Sequence, residues 1–246
     1  MGVAALDDTA PPPLSLWLSE LPYTLPIILS PVRRVRAVPD AAPGAGQPVL
    51  VFPGILSSDN STALLRRTLD RAGYCAHPSQ LGFVTGITPA TFAKAEARLA
   101  EVAKAEGRKV ALVGWSLGGI YARVLAQRHP DLVALVMTLG TPFSGDRRAN
   151  NAWRVYEALN DHKVDEPPLP DDPGVKPPVP TIALWSRNDG VIAPASARGL
   201  PHERDAEVEV PFRHFAMGSS RAAIDLITAE LGRRLMDYPR TSAVST

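Results

Sequence analysis

The chain has 246 residues, 45% of them hydrophobic and 21% charged, and its 26 basic against 25 acidic side chains leave a net charge of +1. That is enough apolar matter for one sizeable core, and the near-neutral balance argues against nucleic acid or a strongly acidic partner. A single cysteine, Cys75, leaves no intramolecular disulfide, and no apolar run reaches the roughly 20 residues needed to span a bilayer.

Residues 1–47 read as an N-terminal arm. Its apolar stretch has no basic segment ahead of it and follows Asp7 and Asp8, so a signal peptide is not expected and the cytoplasm is the expected compartment. Leu14 to Leu29, interrupted by Pro22 and Pro26, predicts one or two short helical turns on the core. With Arg33, Arg34 and Arg36 close behind, contact of this arm with a membrane surface is a second use for it. Val49 to Phe52, closed by Pro53-Gly54, predicts a buried strand. Ser61 to Ala72 has helical spacing and a stop at Gly73, and Tyr74 to His77 is a weaker strand holding Cys75, read as a buried residue. Thr88-Pro89 opens a helix with an N-cap and a proline at the first turn, and Gly107 ends it. Val110 to Val113 is a strand, Gly118 to Arg128 a helix, and Leu132 to Leu139 a strand. Residues 144–178 are polar and proline-rich, with a helix near Ala152 to Leu159. Thr181 to Trp185 and Val208 to Val210 are strands, and Ser219 to Met236 closes the series as a helix. Strands alternating with helices imply an α/β protein with a mainly parallel sheet of about six strands, covered on both faces.

In such a sheet, ligands bind beyond the C-terminal ends of the strands. Beyond Val113 stands Gly114-Trp115-Ser116-Leu117-Gly118, where a strand turns sharply into a helix and presents a serine at the apex. Beyond Trp185 stands Asn188-Asp189-Gly190, and beyond Val210 stands Arg213-His214-Phe215. Ser116, Asp189 and His214 thus fall at one edge. His214 can accept the Ser116 proton and pass it to a leaving alkoxide, while Asp189 orients the imidazole. The oxyanion needs two donors: the Leu117 N–H after the nucleophile, and an N–H after Gly54, with Ile55 first and Leu56 second. Asp146, Asp165 and Glu166 are rival acids, and Asn-Asp-Gly is a turn sequence in its own right. Among the other histidines, His202 precedes the last strand, His129 sits at a helix end, His77 at a strand end and His162 in the proline-rich stretch. Leu56, Phe143, Val191, Phe215 and Met217 are candidates to line an acyl pocket, although core packing accounts equally well for each, as it does for Trp115. No His/Asp spacing suits a metal ligand set, so no catalytic metal is expected.

These motifs resemble the α/β-hydrolase superfamily, and within it small bacterial esterases and lipases. Pro53-Gly54-Ile55 stands where those enzymes usually have His-Gly-X. Gly114 to Gly119 is similar to their nucleophile elbow, Thr138 to Pro142 to the segment after the next strand, and Asp189 to Ile192 to the acid loop, while His214 falls where their histidine does. The order Ser, Asp, His is that of the superfamily. The resemblance covers about residues 48–236. It implies a single α/β-hydrolase domain, hydrolysis of a small ester or lipid without a cofactor, and a short cap or lid at 144–178. Proline in place of histidine at 53 is the departure. An interface-activated triacylglycerol lipase, an acyltransferase and other hydrolytic chemistry on the same fold are the alternatives.

Overall fold

The computed structural model describes residues 9–28 and 44–238. Arg33, Arg34 and Arg36 lie outside them. Two short helices come first, α1 (Leu14–Leu18) and α2 (Leu21–Ile28), where the broken apolar stretch predicts helical turns. Strand β1 (Pro48–Phe52) follows, then helix α3 (Ala63–Arg71), strand β2 (Cys75–Pro78) and helix α4 (Pro89–Glu106). Thr88 caps α4: its side chain accepts the Thr91 N–H, and the Thr91 hydroxyl accepts the Thr88 N–H. Gly107 ends α4 at φ +61°, the left-handed conformation that glycine adopts without a Cβ penalty. Next come β3 (Val110–Trp115), α5 (Leu117–Arg128), β4 (Val133–Leu139) and α6 (Trp153–Leu159). The chain then forms β5 (Thr181–Trp185), α7 (Pro194–Arg198), β6 (Ala206–Glu209), α8 (His214–Ser219) and α9 (Arg221–Asp237).

Among the described residues the strands form one six-stranded sheet in the order β2-β1-β3-β4-β5-β6, every pair parallel. Alternation along β1 sends Val49 and Val51 to one face and Leu50 and Phe52 to the other. On the first face lie the apolar sides of α3 and α9, with Leu64, Leu65, Ile224 and Ile227. On the second lie α4 and α5, with Phe92, Leu99, Tyr121 and Leu125. Both faces are therefore dry, as parallel sheets require.

Three sequence expectations shift. The last strand is Ala206–Glu209, not Val208 to Val210, and its alternating half-exposed pattern marks it as an edge. The closing helix is broken at Ser220, which is extended (φ −81°, ψ 132°) and starts α9, so Ser219 ends a separate short helix begun by His214. Cys75 lies on the opposite edge strand and is half-buried, because an edge position leaves one flank uncovered.

The order reverses between β1 and β3. From there β2 lies to one side and β4 to β6 to the other. Phe52 pairs with Gly114, Gly114 with Thr138, Thr138 with Ala183 and Ala183 with Glu207. This level row puts the segments after β1, β3, β4, β5 and β6 at one edge, where a crevice opens at the switch point.

Candidate active site

Ser116 is the apex of the β3–α5 turn. Its φ of +54° and ψ of −124° are strained for a residue with a Cβ. The strain persists because its neighbours cannot be anything larger. A Cβ on Gly114 would meet Gly118 and Gly119 backbone at 2.4 Å, and one on Gly118 would meet the Phe52 carbonyl oxygen at 2.4 Å. Ser116 donates its N–H to the Leu139 carbonyl across the sheet, which anchors the turn. Leu117 is the first residue of α5, so its N–H has no intrahelical acceptor.

Gly54 comes close beside it: a Cβ there would meet the Ser116 Cβ at 3.1 Å. Of the two donors expected after Gly54, Leu56 has its N–H committed to the Val84 carbonyl at 2.7 Å. Ile55 borders the same cavity as Ser116 and Leu117.

His214 opens α8, is buried, and donates its Nδ1–H to Asp189 Oδ2 at 2.8 Å. The other carboxylate oxygen accepts the N–H groups of Val191 and Ile192, each at 2.8 Å, so the acid cannot swing away. Gly140, with φ +54°, packs against this pair, and a Cβ there would come within 2.9 Å of the carboxylate and 3.0 Å of the ring. Trp115, which precedes the serine, lies with its ring 5.8 Å from the imidazole and donates its indole N–H to the His214 carbonyl. It belongs to the core, yet it also links the elbow to the histidine. Burial acts most strongly on His214 and pulls its pKa down. The charge and hydrogen bond of Asp189, joined by the charge of Glu20, outweigh burial and hold it above the ordinary histidine value.

The rival groups lie elsewhere. Asp146 accepts the Arg148 N–H, Asp165 pairs with the Arg148 guanidinium, and Glu166 is exposed. His77 meets Glu106, His129 meets Glu96, His162 meets Tyr156, and His202 is exposed. Among the described residues no group of three His, Cys, Asp or Glu side chains could hold a metal ion, and no helix is long and apolar enough to cross a membrane.

Ser116 borders a cavity of about 320 Å³. The core supplies one wall, including Ile87, Phe92, Ile120 and Val124, and the stretch 144–178 supplies the other, including Trp153, Tyr156 and Leu169. Of the five pocket candidates named above, Phe143 lines it. Leu56 does not: with φ +54° it turns outward and is 47% exposed. Val191 packs with Trp185 and Ala197, leaving the cavity to Ile192. Phe215 stacks edge-on against Trp115 and His214 and shares no wall of the cavity. Met217 is likewise core.

Two residues escaped the sequence reading. Arg123 of α5 is fully buried and donates to the carbonyls of Pro173, Gly174, Val175 and Glu203, with its guanidinium 3.9 Å from the centre of the Phe143 ring. Burial lowers its pKa to about 10, against the charges of Glu203 and Asp172. Glu20, between α1 and α2, is 1% exposed. Its carboxylate accepts the N–H groups of Gly190 at 2.8 Å, His214 at 2.9 Å and Phe215 at 3.1 Å. The only sequence signal was an acid inside an apolar stretch.

Residues 47–166 match the family model of the alpha/beta hydrolase fold, a span that includes the elbow and ends before Asp189 and His214. No curated protein sequence matches the chain. Solved structures do. A soluble variant of monoglyceride lipase from Saccharomyces cerevisiae aligns with a TM-score of 0.56 at 14% identity, over 80% of this chain and 88% of that one. The lipase BlEst2 of Bacillus licheniformis aligns at 0.55 and 19% identity, over 81% and 95%. A monoacylglycerol lipase of Paleococcus ferrophilus aligns at 0.55 and 15% identity, over 78% and 96%. At such identities the likeness is one of fold.

Proposed function

The chain is an α/β-hydrolase-fold protein, and from that premise we propose that it is a serine hydrolase of carboxylic esters. Ser116 is the nucleophile, His214 the general base and acid, and Asp189 the group that orients the imidazole and stabilises the imidazolium. The observation that carries this reading is the buried His214–Asp189 hydrogen bond at the sheet edge where a strained serine borders an apolar cavity.

The Ser116 oxygen adds to the acyl carbonyl as His214 Nε2 takes its proton. The carbonyl oxygen becomes an oxyanion, held by the Leu117 N–H at the head of α5 and by the Ile55 N–H. Collapse breaks the bond to the alcohol oxygen, and the imidazolium returns the proton to that leaving group. Water then adds to the acyl-enzyme, His214 takes a water proton, and the carboxylic acid departs with the Ser116 hydroxyl restored. The cavity between the core and residues 144–178 receives the acyl chain, with Phe143 and Ile192 in its wall and 144–178 acting as the cap. Replacing Ser116 by alanine should abolish hydrolysis of a chromogenic short-chain ester and labelling by a fluorophosphonate, with an unchanged melting temperature. Retained hydrolysis would overturn the assignment.

A lipase acting at an interface is the second reading. What favours it is the apolar row Leu14, Trp17, Leu18 and Leu21, which are 67%, 41%, 48% and 60% exposed. A rate that jumps when the ester forms an emulsion marks a lipase. A rate that follows dissolved monomer alone marks an esterase.

A further inference from the structure

An ionised carboxylate is costly to bury unless donors surround it. Glu20 has three, and all are backbone N–H groups of the two loops that carry Asp189 and His214. One of its oxygens, Oε1, accepts from both loops at once, from Gly190 and from His214 itself. The acid loop is shaped for this contact: a Cβ on Gly190 would meet the Leu16 carbonyl oxygen at 2.4 Å and the Glu20 Cγ at 2.9 Å. Glycine after Asp189 is therefore what lets the arm approach. The contact joins segments 170 to 195 residues apart in the chain.

We propose that Glu20 is a positioning residue: it docks the N-terminal arm onto the acid and base loops, sets their spacing, and supports with its charge the imidazolium formed when Ser116 gives up its proton. The inference rests on the reading of Ser116, Asp189 and His214 as a triad. A neutral acceptor would satisfy the same N–H groups, so the charge has a separate consequence. The groups packed around the ring are Asp189 from the loop after β5, Gly140 after β4, Trp115 from the elbow and Phe215 beside it, while Glu20 from the α1–α2 junction meets the backbone N–H of the same residue. Arg213 precedes the histidine, and the carbonyl of Tyr23 lies near Ser219 at the other end of α8. After Asp189, Glu20 is the second anion whose charge raises the His214 pKa. Its charge stabilises the protonated ring, so its loss lowers the pH at which His214 becomes an active base.

The test compares the full chain with its Glu20→Gln and Glu20→Asp variants. The His214 imidazole is titrated by NMR and steady-state rates are measured on a soluble short-chain ester. In Glu20→Gln the imidazole midpoint should fall by about half a unit to one unit. The acid limb of kcat/KM should fall with it, and kcat should drop about tenfold with KM within about twofold. Glu20→Asp keeps the charge at shorter reach, so its midpoint should stay within a few tenths of the parent while kcat drops. A Glu20→Gln chain with a parental midpoint would overturn the proposal, and a lowered melting temperature beside it would leave Glu20 a structural anchor. Where Glu20→Gln does not fold, Glu20→Asp decides, and an unchanged kcat there overturns it. The NMR midpoint is read without turnover. A parent chain that fluorophosphonate does not label therefore counts against the triad alone, and an unshifted midpoint in a labelled chain counts against Glu20 alone.

Discussion

The two halves of the site are held by opposite means. Around Ser116 the chain removes side chains: Gly114 and Gly118 stand where a Cβ would collide with backbone, and Gly54 where one would crowd the serine. Around His214 it adds polar groups: Asp189 is held by two N–H bonds of its own loop, and Glu20 holds three more from a distant arm. The first half works by close approach and the second by satisfied charge. The difference predicts different failures, since filling a vacant space displaces backbone, while deleting a charge leaves the shape and changes the proton affinity.

The largest effect should come from the charged half. In Asp189→Asn the amide can still accept the Val191 and Ile192 N–H groups, but it offers an NH₂ to His214 Nδ1 and selects the tautomer that cannot serve as base. Turnover on a soluble ester should fall about 10⁴-fold with near-parental stability. A loss under tenfold would break the contrast, because shape alone would then suffice. In the crowded half, Gly118→Ala puts a methyl 2.4 Å from the Phe52 carbonyl oxygen and 2.6 Å from that of Pro53. It must part α5 from the β1 loop and with it the two proposed oxyanion donors, Leu117 and Ile55. Turnover should fall about 10²–10³-fold, and stability by about 1–3 kcal/mol in denaturant melts. Parental stability in this variant would show that the glycine is not required for packing.

The pH profile is a gentler probe. His214 must be neutral to accept a proton, and its pKa lies above the ordinary value of 6.5. The acid limb of kcat/KM should therefore rise with pH through a midpoint above 6.5, and activity should be lost as pH falls through it. A limb centred below 6 would contradict the raised value. The smallest effects belong to the pocket. Trp153→Ala, in the cavity wall supplied by residues 144–178, should shift acyl-length preference a few-fold toward longer chains. Leu56→Ala, on an exposed side chain, should change turnover by about twofold or less.

The same contrast explains what could be read in advance. Glycine spacing around Ser116 is a local signal, because strand, turn and helix are consecutive in the chain. Val49 to Phe52, Thr88-Pro89 and Thr181 to Trp185 were legible for that reason, as was the row of strand ends that brings Asp189 to His214. Glu20 was not legible, since nothing within twenty residues of it reports an N–H group at position 214. Leu56, Val191 and Phe215 follow strand ends as Phe143 does. Which of them faces the cavity depends on turn geometry: the positive φ of Leu56, and the N–H groups of Val191 and Ile192 both folded onto Asp189. Arg123 sits in an apolar helix pattern, and only the carbonyls of residues 173–175 and 203, brought in by the fold, make a buried guanidinium tolerable there.

Glu20 also sets a schedule. During synthesis it emerges 170 residues before Gly190 and 194 before His214, which is roughly 10–40 s of translation at 5–20 residues per second. Throughout that interval the elbow can form from consecutive segments, while the arm's carboxylate stays in water without its partners. The elbow is therefore closed by neighbours in sequence, whereas Glu20 meets its partners only once the loop after β5 and the start of α8 have both been made.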